Sequence, residues 1–574
     1  MSRPSCLLLC ILVTLLAPPR VASAAWPSDP AVNLPLCAAP GDQYYQVAAS
    51  DGAGGAVVAW VDHRSGGYTH IYAQRVDASG TPLWAEDGVA VCTAAGDQQY
   101  PVIAPDGAGG AIVAWFDYRG GWGDVYAQRI AAAGTPQWAE NGVALCSSVG
   151  TPSPENFIHM IPDGTGGALV TWPMRTMGAP QQQVFIQSVD ASGTARWTAN
   201  GVAVASTEHD QHEPQVVRDG TGGAIVAWQD YRADDYWGDV YAQRVDATGT
   251  PQWTAGGVPL CTATGDQTNL MAKPDGAGGV VVVWEDERAS EADIYAQRVS
   301  ASGSPQWTTD GAPVCVAAGG QFDPMLVPDG SGGGVIAWPD MRDGAIGLYA
   351  QRIDGSGATL WPGAGVVVCS TVGEIPVETI TPLQMASGDG AGGVIVAWWD
   401  KRNGTDCDIY AQRVDASGVV QWPVGGTPVS TAAGDQLYPS VVSDGSGGIV
   451  AAWRDSRDGS WDIYAQRLYA SGSVDVAPGA TTSALRLDSP VPNPSRSGMR
   501  IAYALPQASR ASLAIYDLHG RRVRGLLAGH LPAGEGSAHW DGLDESGRPV
   551  ASGLYFARLD TGGSVLTARF TTVR

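Results

Sequence analysis

Lysine is nearly absent from this chain: Lys273 and Lys401 are the only two in 574 residues, and arginine carries the rest of the positive charge. That scarcity reads first as genome composition, not as mechanism. Positive charge is short overall, with 33 Lys and Arg against 57 Asp and Glu and a net charge of −24. The deficit is uneven. From Asp475 onward 11 Arg face 8 Asp and Glu, and Arg3 and Arg20 sit in the first 24 residues, so residues 25–474 hold about −29. A body this acidic argues against nucleic acid and anionic membrane as partners, because both need a positive surface. Long apolar runs are missing too. Leu7 to Leu16 is too short to cross a bilayer, and no later stretch approaches the ~20 apolar residues a spanning helix needs. No G-x-S-x-G elbow and no H-E-x-x-H pair occurs, which removes the commonest serine-hydrolase and zinc-protease readings. Helical windows are also lacking, since glycines and β-branched residues crowd every candidate segment.

What is present begins with an export signal. Arg3 supplies a positive start, Leu7 to Leu16 the apolar segment, and Ala22-Ser23-Ala24 a small-residue cleavage site before Ala25, so residues 1–24 read as a signal peptide of a secreted protein. Cys6 and Cys10 leave with it, and seven cysteines remain.

The remainder is a repeat. The phrase D-G-[ATS]-G-G begins at Asp51, Asp106, Asp163, Asp219, Asp275, Asp329, Asp389 and Asp444, in steps of 54 to 60 residues. Each unit offers four strand signals, which in the second unit are Tyr100 to Ala104, Ala111 to Phe116, Asp124 to Ile130 and about Gln137 to Cys146. Glycine-rich turns separate them. The second strand is apolar almost throughout and requires burial on both faces, which stacked blades provide. Four strands in about 50 residues match a propeller. The eighth unit lacks its fourth strand, and Trp26 to Cys37 reads like Trp84 to Cys92. The expected fold is therefore all-β: an eight-bladed β-propeller over residues 25–474, closed by its own N-terminal strand, then a linker at 475–484 and a small β-sandwich at 485–574. Six cysteines, Cys37, Cys92, Cys146, Cys261, Cys315 and Cys369, share one repeat position. Equivalent positions in neighbouring blades are too far apart for disulfides, so these should be free, small buried hydrophobes. Cys407 stands alone in a loop.

The strongest signature is W-x-D-x-R at the end of the second strand. Its Asp and Arg include Asp62 and Arg64, Asp117 and Arg119, Asp230 and Arg232, Asp286 and Arg288, Asp400 and Arg402, and Asp455 and Arg457; Met174 replaces the Asp in the third unit. Eight copies imply one structural task done eight times, and the expected task is a network within each blade reaching the Gln of Y-A-Q-R. A D-G-x-G-G turn supplies one carboxylate, too few for a calcium site, so no cofactor is expected, with calcium the one ion the turns could suggest. His209, His212 and Glu213 resemble a metal cluster in isolation, but they occupy a copy of the G-D-Q link and read better as a solvated loop. The Asp-box of sialidase-type propellers, with Asp and Trp five apart, does not occur; here Asp51 and Trp60 are nine apart.

The tail differs in character. PVPNPS (490–495), IYDLHGRRV (515–523), WDGLDESGRPV (540–550) and SGLYFARL (552–559) resemble the FlgD-like immunoglobulin-type domain, which overlaps the C-terminal sorting domains of type IX secretion. The resemblance covers about residues 485–574. It implies a β-sandwich, contact with the secretion machinery of a bacterial outer membrane, and delivery to the cell surface or beyond. The propeller part is similar to uncharacterised exported bacterial repeat proteins. Two functions are then open. One is a non-catalytic binding or adhesion module for a glycan or protein, using the face where the loops after the second and fourth strands emerge, with Trp122, Trp237 and Trp461 as unrepeated aromatics there. The other is a glycan-active hydrolase of sialidase-like propeller type, with its site in the irregular segments Pro173 to Gln187 or Val372 to Met385.

Overall fold

Each D-G-x-G-G turn is built by its own aspartate. Asp51 Oδ1 accepts the backbone N–H of Ala53 at 2.8 Å and of Gly55 at 2.9 Å, while Oδ2 accepts from the Arg75 guanidinium at 3.0 Å. A Cβ on Gly55 would lie 2.2 Å from the Val76 carbonyl oxygen, so only glycine closes this hairpin. The two N–H bonds to the aspartate recur at the other seven turns. In the computed structural model the described residues are 26–474 except 122, 148–149, 153–157, 177, 234–235 and 371–384, and 485–573 except 488–489, 491–492, 494, 496–498, 506–508, 532–533 and 562–563. The signal segment, the linker, Trp122 and nearly all of Val372 to Met385 therefore lie outside the described residues.

Among the described residues every regular element is a strand, and no helix is long and apolar enough to cross a membrane. The chain divides into two compact units, Met1–Asp475 and Val476–Arg574. The first holds eight antiparallel sheets of propeller-like blade form, one per repeat. In the second of them the strands are Gln98–Pro105, Ala111–Asp117, Asp124–Ile130 and Val143–Cys146, each paired with its sequence neighbour. The fourth strand is shorter than its sequence signal: Trp138 N–H bonds the Gln128 side chain in place of a ladder partner, and its indole reaches the next sheet. The third sheet is the irregular one: its first strand is split into Gly150–Pro152 and His159–Pro162. In the eighth, Leu34–Cys37 pairs antiparallel with Asp462–Leu468 and so supplies the fourth strand from the other end of the unit.

Burial follows the pattern. The second strand is buried at all seven positions in most sheets, for example Ala56–Asp62 and Val280–Asp286, since both faces meet neighbouring sheets. The innermost strand of each sheet touches that of the next, and the eighth touches the first. A second cyclic contact runs outside it. Trp26, Trp84, Trp138, Trp197, Trp253, Trp307, Trp361 and Trp422 each donate the indole N–H to a carbonyl of the following sheet at 3.0–3.2 Å, and Trp26 does so to Ala78 of the first.

The second unit has a three-stranded sheet (Arg486–Leu487, Met499–Leu505, Gly534–Trp540) and a four-stranded sheet (Ser509–Tyr516, Arg522–Leu531, Gly553–Asp560, Val565–Thr572). They share one core in which Ile501 and Trp540 of one meet Leu513, Ala557 and Phe570 of the other.

Candidate functional site

Seven copies of the Trp-Asp-Arg signature form the same closed network. The buried indole N–H, from Trp60 to Trp453, donates to the Asp two residues on at 2.7–3.0 Å. The Arg clamps both carboxylate oxygens: Arg288 Nε lies 2.7 Å from Asp286 Oδ1, and its terminal nitrogen 2.6 Å from Oδ2. That guanidinium also lies over the Tyr of Y-A-Q-R, 3.6–4.0 Å from the ring centre in the seven sheets. Asp62, Asp117, Asp230, Asp286, Asp400 and Asp455 are fully buried.

Two expectations need correction here. The network does not reach the Gln of Y-A-Q-R; Gln74 instead holds the outer hairpin, donating to the Ala85 carbonyl and accepting from Trp84 N–H. Nor is the network confined to one blade, or the cysteine merely a small hydrophobe. Arg64, Arg119 and Arg288 donate to the sulfur of Cys37, Cys92 and Cys261 at 3.2–3.3 Å, and each sulfur belongs to the preceding sheet. The residue types explain this: a guanidinium has five donors, and its own Asp occupies only part of them. Where the preceding sheet carries Ser430 in place of cysteine, Asn33 fills the gap and accepts from Arg457. All seven cysteines described are free and buried, Cys407 included, although its sequence position suggested an open loop. Burial pushes the thiols of Cys37, Cys92, Cys146 and Cys261 up to about 12.

The chemistry that varies from sheet to sheet lies elsewhere, at the start of the innermost strand. Six residues before each turn aspartate the strand bulges, and the residue there takes a left-handed conformation: Tyr45 (φ 53°), Tyr100 (51°), Glu213 (48°), Asn269 (51°), Asp323 (44°) and Tyr438 (55°). The equivalents in the third and seventh sheets, 157 and 383, fall outside the described residues. Non-glycine side chains adopt this geometry at a cost, and such strain concentrates at functional sites. Because the innermost strands touch in cyclic order, these positions ring one mouth of the space between them.

The ring has two characters. Tyr438, Tyr45 and Tyr100 come from the eighth, first and second sheets; the Tyr45 and Tyr100 ring centres are 4.9 Å apart, and Tyr45 is 47% exposed. Arg454 lies 4.5 Å from the rings of both Tyr438 and Trp461, so Trp461 of the sequence-predicted aromatics does join this side. Opposite in sequence order, sheets four to six gather carboxyls. Glu213 accepts the Asn269 backbone N–H at 2.9 Å, Glu285 accepts the Asn269 side-chain amide at 3.0 Å, and Glu285 also accepts the Asp323 N–H at 3.2 Å. Burial, reinforced by neighbouring carboxylates, raises Glu213 and Glu285 and lifts Asp323 to about 7; Glu285 and Glu213 add to Asp323, Asp266 and Glu285 to Glu213, and Glu287 and Asp266 to Glu285. Asp266, also raised by burial, accepts the N–H of Gly238 at 2.8 Å and so anchors the loop of the half-exposed Trp237 beside this side. With its carboxyl at about 7, Asp323 can donate as well as accept a hydrogen bond near neutrality.

The histidine pair is not drawn together with Glu213. The His212 ring packs 5.1 Å from Tyr231, the His209 carbonyl accepts from Gln183, and among the described residues no group of three His, Cys, Asp or Glu is placed to hold a metal ion. In the third unit Met174, where other sheets have Asp, is buried with its sulfur 3.2 Å from Cys146, which leaves the Trp172 N–H without a partner. The Asp position of that irregular segment is thus filled by an apolar side chain, and the titratable groups gather one to three sheets along. Sequence reasoning passed over Tyr45, Tyr100, Tyr438, Glu285, Asp323 and Arg454. A signal existed for Glu285 and Arg454: the position between Trp and Asp reads Val61, Phe116, Pro173, Gln229, Glu285, Pro339, Trp399 and Arg454, a variable column beside constant ones.

The fold and this mouth define an all-β protein of repeated propeller-like sheets. Residues 495–562 match the FlgD Ig-like domain family, so the second unit carries a domain of that kind. No curated protein matches the chain. Among solved structures the chain is similar to PorZ, a bacterial surface component of the type-IX secretion system of Porphyromonas gingivalis, at 12% identity over 90% of this chain and 74% of that one, TM-score 0.27. It is also similar to dipeptidyl peptidase 4 of the same organism, at 11% identity over 83% and 65%, TM-score 0.41. A third likeness is to the polysaccharide lyase Uly1, at 9% identity over 68% and 93%, TM-score 0.34. Likenesses this distant carry neither activity nor partner across.

Proposed function

We propose that this is an exported bacterial binding protein, an eight-bladed β-propeller that grips a glycan at its channel mouth and is routed to the cell surface or beyond by its C-terminal domain. One observation carries the binding reading. The invariant Asp-Arg pairs are consumed by the scaffold, whereas the variable ring presents tyrosines on one side and hydrogen-bonding carboxyls on the other. Aromatic faces stack on sugar rings and carboxyls bond their hydroxyls, the pairing a polyhydroxylated ligand needs. The routing reading rests on the FlgD Ig-like match and on the apolar signal-like segment at Leu7 to Leu16. A glycan array with the full mature chain tests the site. Binding by the parent that falls at least tenfold in Tyr45→Ala and Tyr438→Ala, with unchanged melting, is the expected result; no bound glycan, or equal binding by both variants, sinks it.

The carboxyl side favours a second reading, glycan cleavage. Asp323 near neutrality could hold the proton of a general acid while Glu213 or Glu285 acts as the base or nucleophile. A sialidase-like version would need arginines for the substrate carboxylate, and the D-x-R arginines already clamp their own aspartates. Reducing ends released by the parent and not by Asp323→Asn, with binding retained, would establish catalysis. A bound glycan left intact by the parent would exclude it.

A further inference from the structure

At the opposite end of the same strands lies a cavity of about 640 Å³ between the third, fourth and fifth sheets. Its walls are partly apolar, with Ile161, Leu169, Val216 and Val217 among them, and three basic residues line it: Arg218, and the pair His159 and Lys273. Both interrupt columns that are otherwise almost free of charge. The position of Lys273, two before the turn aspartate, is Ala49, Ala104, Ile161, Val217, Val327, Ser387 and Val442 in the other units; that of His159, four before it, is Val47, Val102, Gln215, Met271, Met325, Met385 and Ser440. One of the two lysines in the chain has thus been placed on the wall of a cavity.

Among the described residues no carboxylate pairs with Lys273. Asp163, the acid on the cavity wall, is engaged with its own turn through the N–H groups of Thr165 and Gly167 and with Arg196 at 3.3 Å. The third cation there, Arg218, lies over the turn at Gly164, where a Cβ would come 2.6 Å from its guanidinium. His159 Nδ1 accepts the Val216 backbone N–H at 2.9 Å, so the ring proton sits on Nε2 and His159 is a donor. Burial holds Lys273 below the usual lysine range and, with the Lys273 charge adding, brings His159 down to about 3. A half-buried, desolvated ammonium with no partner among the described residues is costly, and the cost is relieved if a ligand supplies the opposite charge. The cavity volume falls within the several-hundred Å³ range of small-molecule sites.

We propose that this cavity is a binding site for a small organic carboxylate with an apolar body, its charge met by Lys273 and its second oxygen by His159 Nε2–H. The site is separate from the mouth and does not depend on the glycan reading. Isothermal titration of the full mature chain with benzoate, and with uncharged benzyl alcohol as control, tests it. Benzoate should bind and benzyl alcohol should not. Lys273→Met should weaken benzoate at least tenfold while melting at or above the parent temperature, since it removes a buried charge. Lys273→Arg should bind within a few-fold of the parent, and Tyr45→Ala should bind as the parent does. Equal benzoate affinity in Lys273→Met, loss of affinity in Tyr45→Ala instead, or no saturable benzoate binding by the parent would each overturn the proposal. A fall in melting temperature for Lys273→Met would do so too, by making Lys273 a structural residue.

Discussion

Trp284 and Asp286 recur in nearly every sheet, and Glu285 between them recurs in none. Successive residues of a strand point to opposite faces, so one strand end serves two regions at once. On one face the Trp-Asp-Arg-Tyr set and the preceding sheet's cysteine join neighbouring sheets, and most junctions repeat the same contact. On the other face the side chain meets the bulged start of the innermost strand at the mouth, where nothing requires the eight sheets to agree. Repetition therefore marks the scaffold, and the site lies where repetition stops one residue away.

The comparison breaks most visibly if the scaffold is opened. Deleting residues 26–37 removes the Trp26 link to Ala78, the Leu34–Cys37 strand and Asn33 together. Loss of one buried tryptophan alone costs ~3–5 kcal/mol, so the truncated chain should lose cooperative melting of the whole first unit in calorimetry. Melting like the parent would show that the ring of contacts is not a single cooperative structure. Asp286→Ala leaves Arg288 uncompensated in a buried pair and should cost ~3–5 kcal/mol in denaturant unfolding, with glycan binding intact in the folded fraction. Unchanged stability with lost binding would move that pair from scaffold to site.

Acid pH sharpens the contrast next. Burial, with Asp-Asp repulsion adding, raises Asp239, Asp293 and Asp408 to about 6 and Asp462 to about 7, and Asp323 at the mouth also reaches about 7. Groups whose folded value lies above the unfolded ~3.8 stabilise fully below that value and lose the contribution as pH rises through 6–7. Asp163, Asp219 and Asp444 run the other way: burial alone would raise them, but hydrogen bonds within the turn and the adjacent arginine outweigh it. Their stabilisation disappears only as pH falls below the usual aspartate range. The melting temperature should therefore be higher at pH 5 than at pH 8; the reverse order would mean that these carboxyls are not buried as described.

The smallest effect separates strain from contact at the mouth. Tyr45→Gly and Tyr45→Ala both remove the ring and should both lose binding. The glycine variant should be the more stable by about 1 kcal/mol, because the alanine variant, like the parent, keeps a Cβ at a φ near 53°. Equal stability would show that the bulge relaxes without the tyrosine.

Much of the scaffold was legible in the residues. The spacing of Asp51, Asp106 and their successors, the missing fourth strand of the eighth unit and the free cysteines follow from turn chemistry and period, which are local. The partners of Gln74 and of the cysteine sulfurs were not legible, because each depends on which atoms of the next sheet come within reach. Nor was the mouth. His209, His212 and Glu213 are adjacent in sequence and were weighed together, but left-handed geometry at Glu213 turns it toward Asn269 of another sheet, and His212 toward Tyr231.

By itself, then, the sequence determined an all-β repeat of eight units with a distinct C-terminal domain, since glycine-rich turns, strand alternation and period are written within about 55 residues. Only the tertiary structure decided which side chains act together. Arg454 meets Tyr438 and Trp461, Asn269 meets Glu213 and Glu285, and Lys273 and His159 line one cavity, because bringing the innermost strands side by side places residues 7 to more than 100 positions apart in one region and partly out of bulk water, where their charges and rings interact strongly.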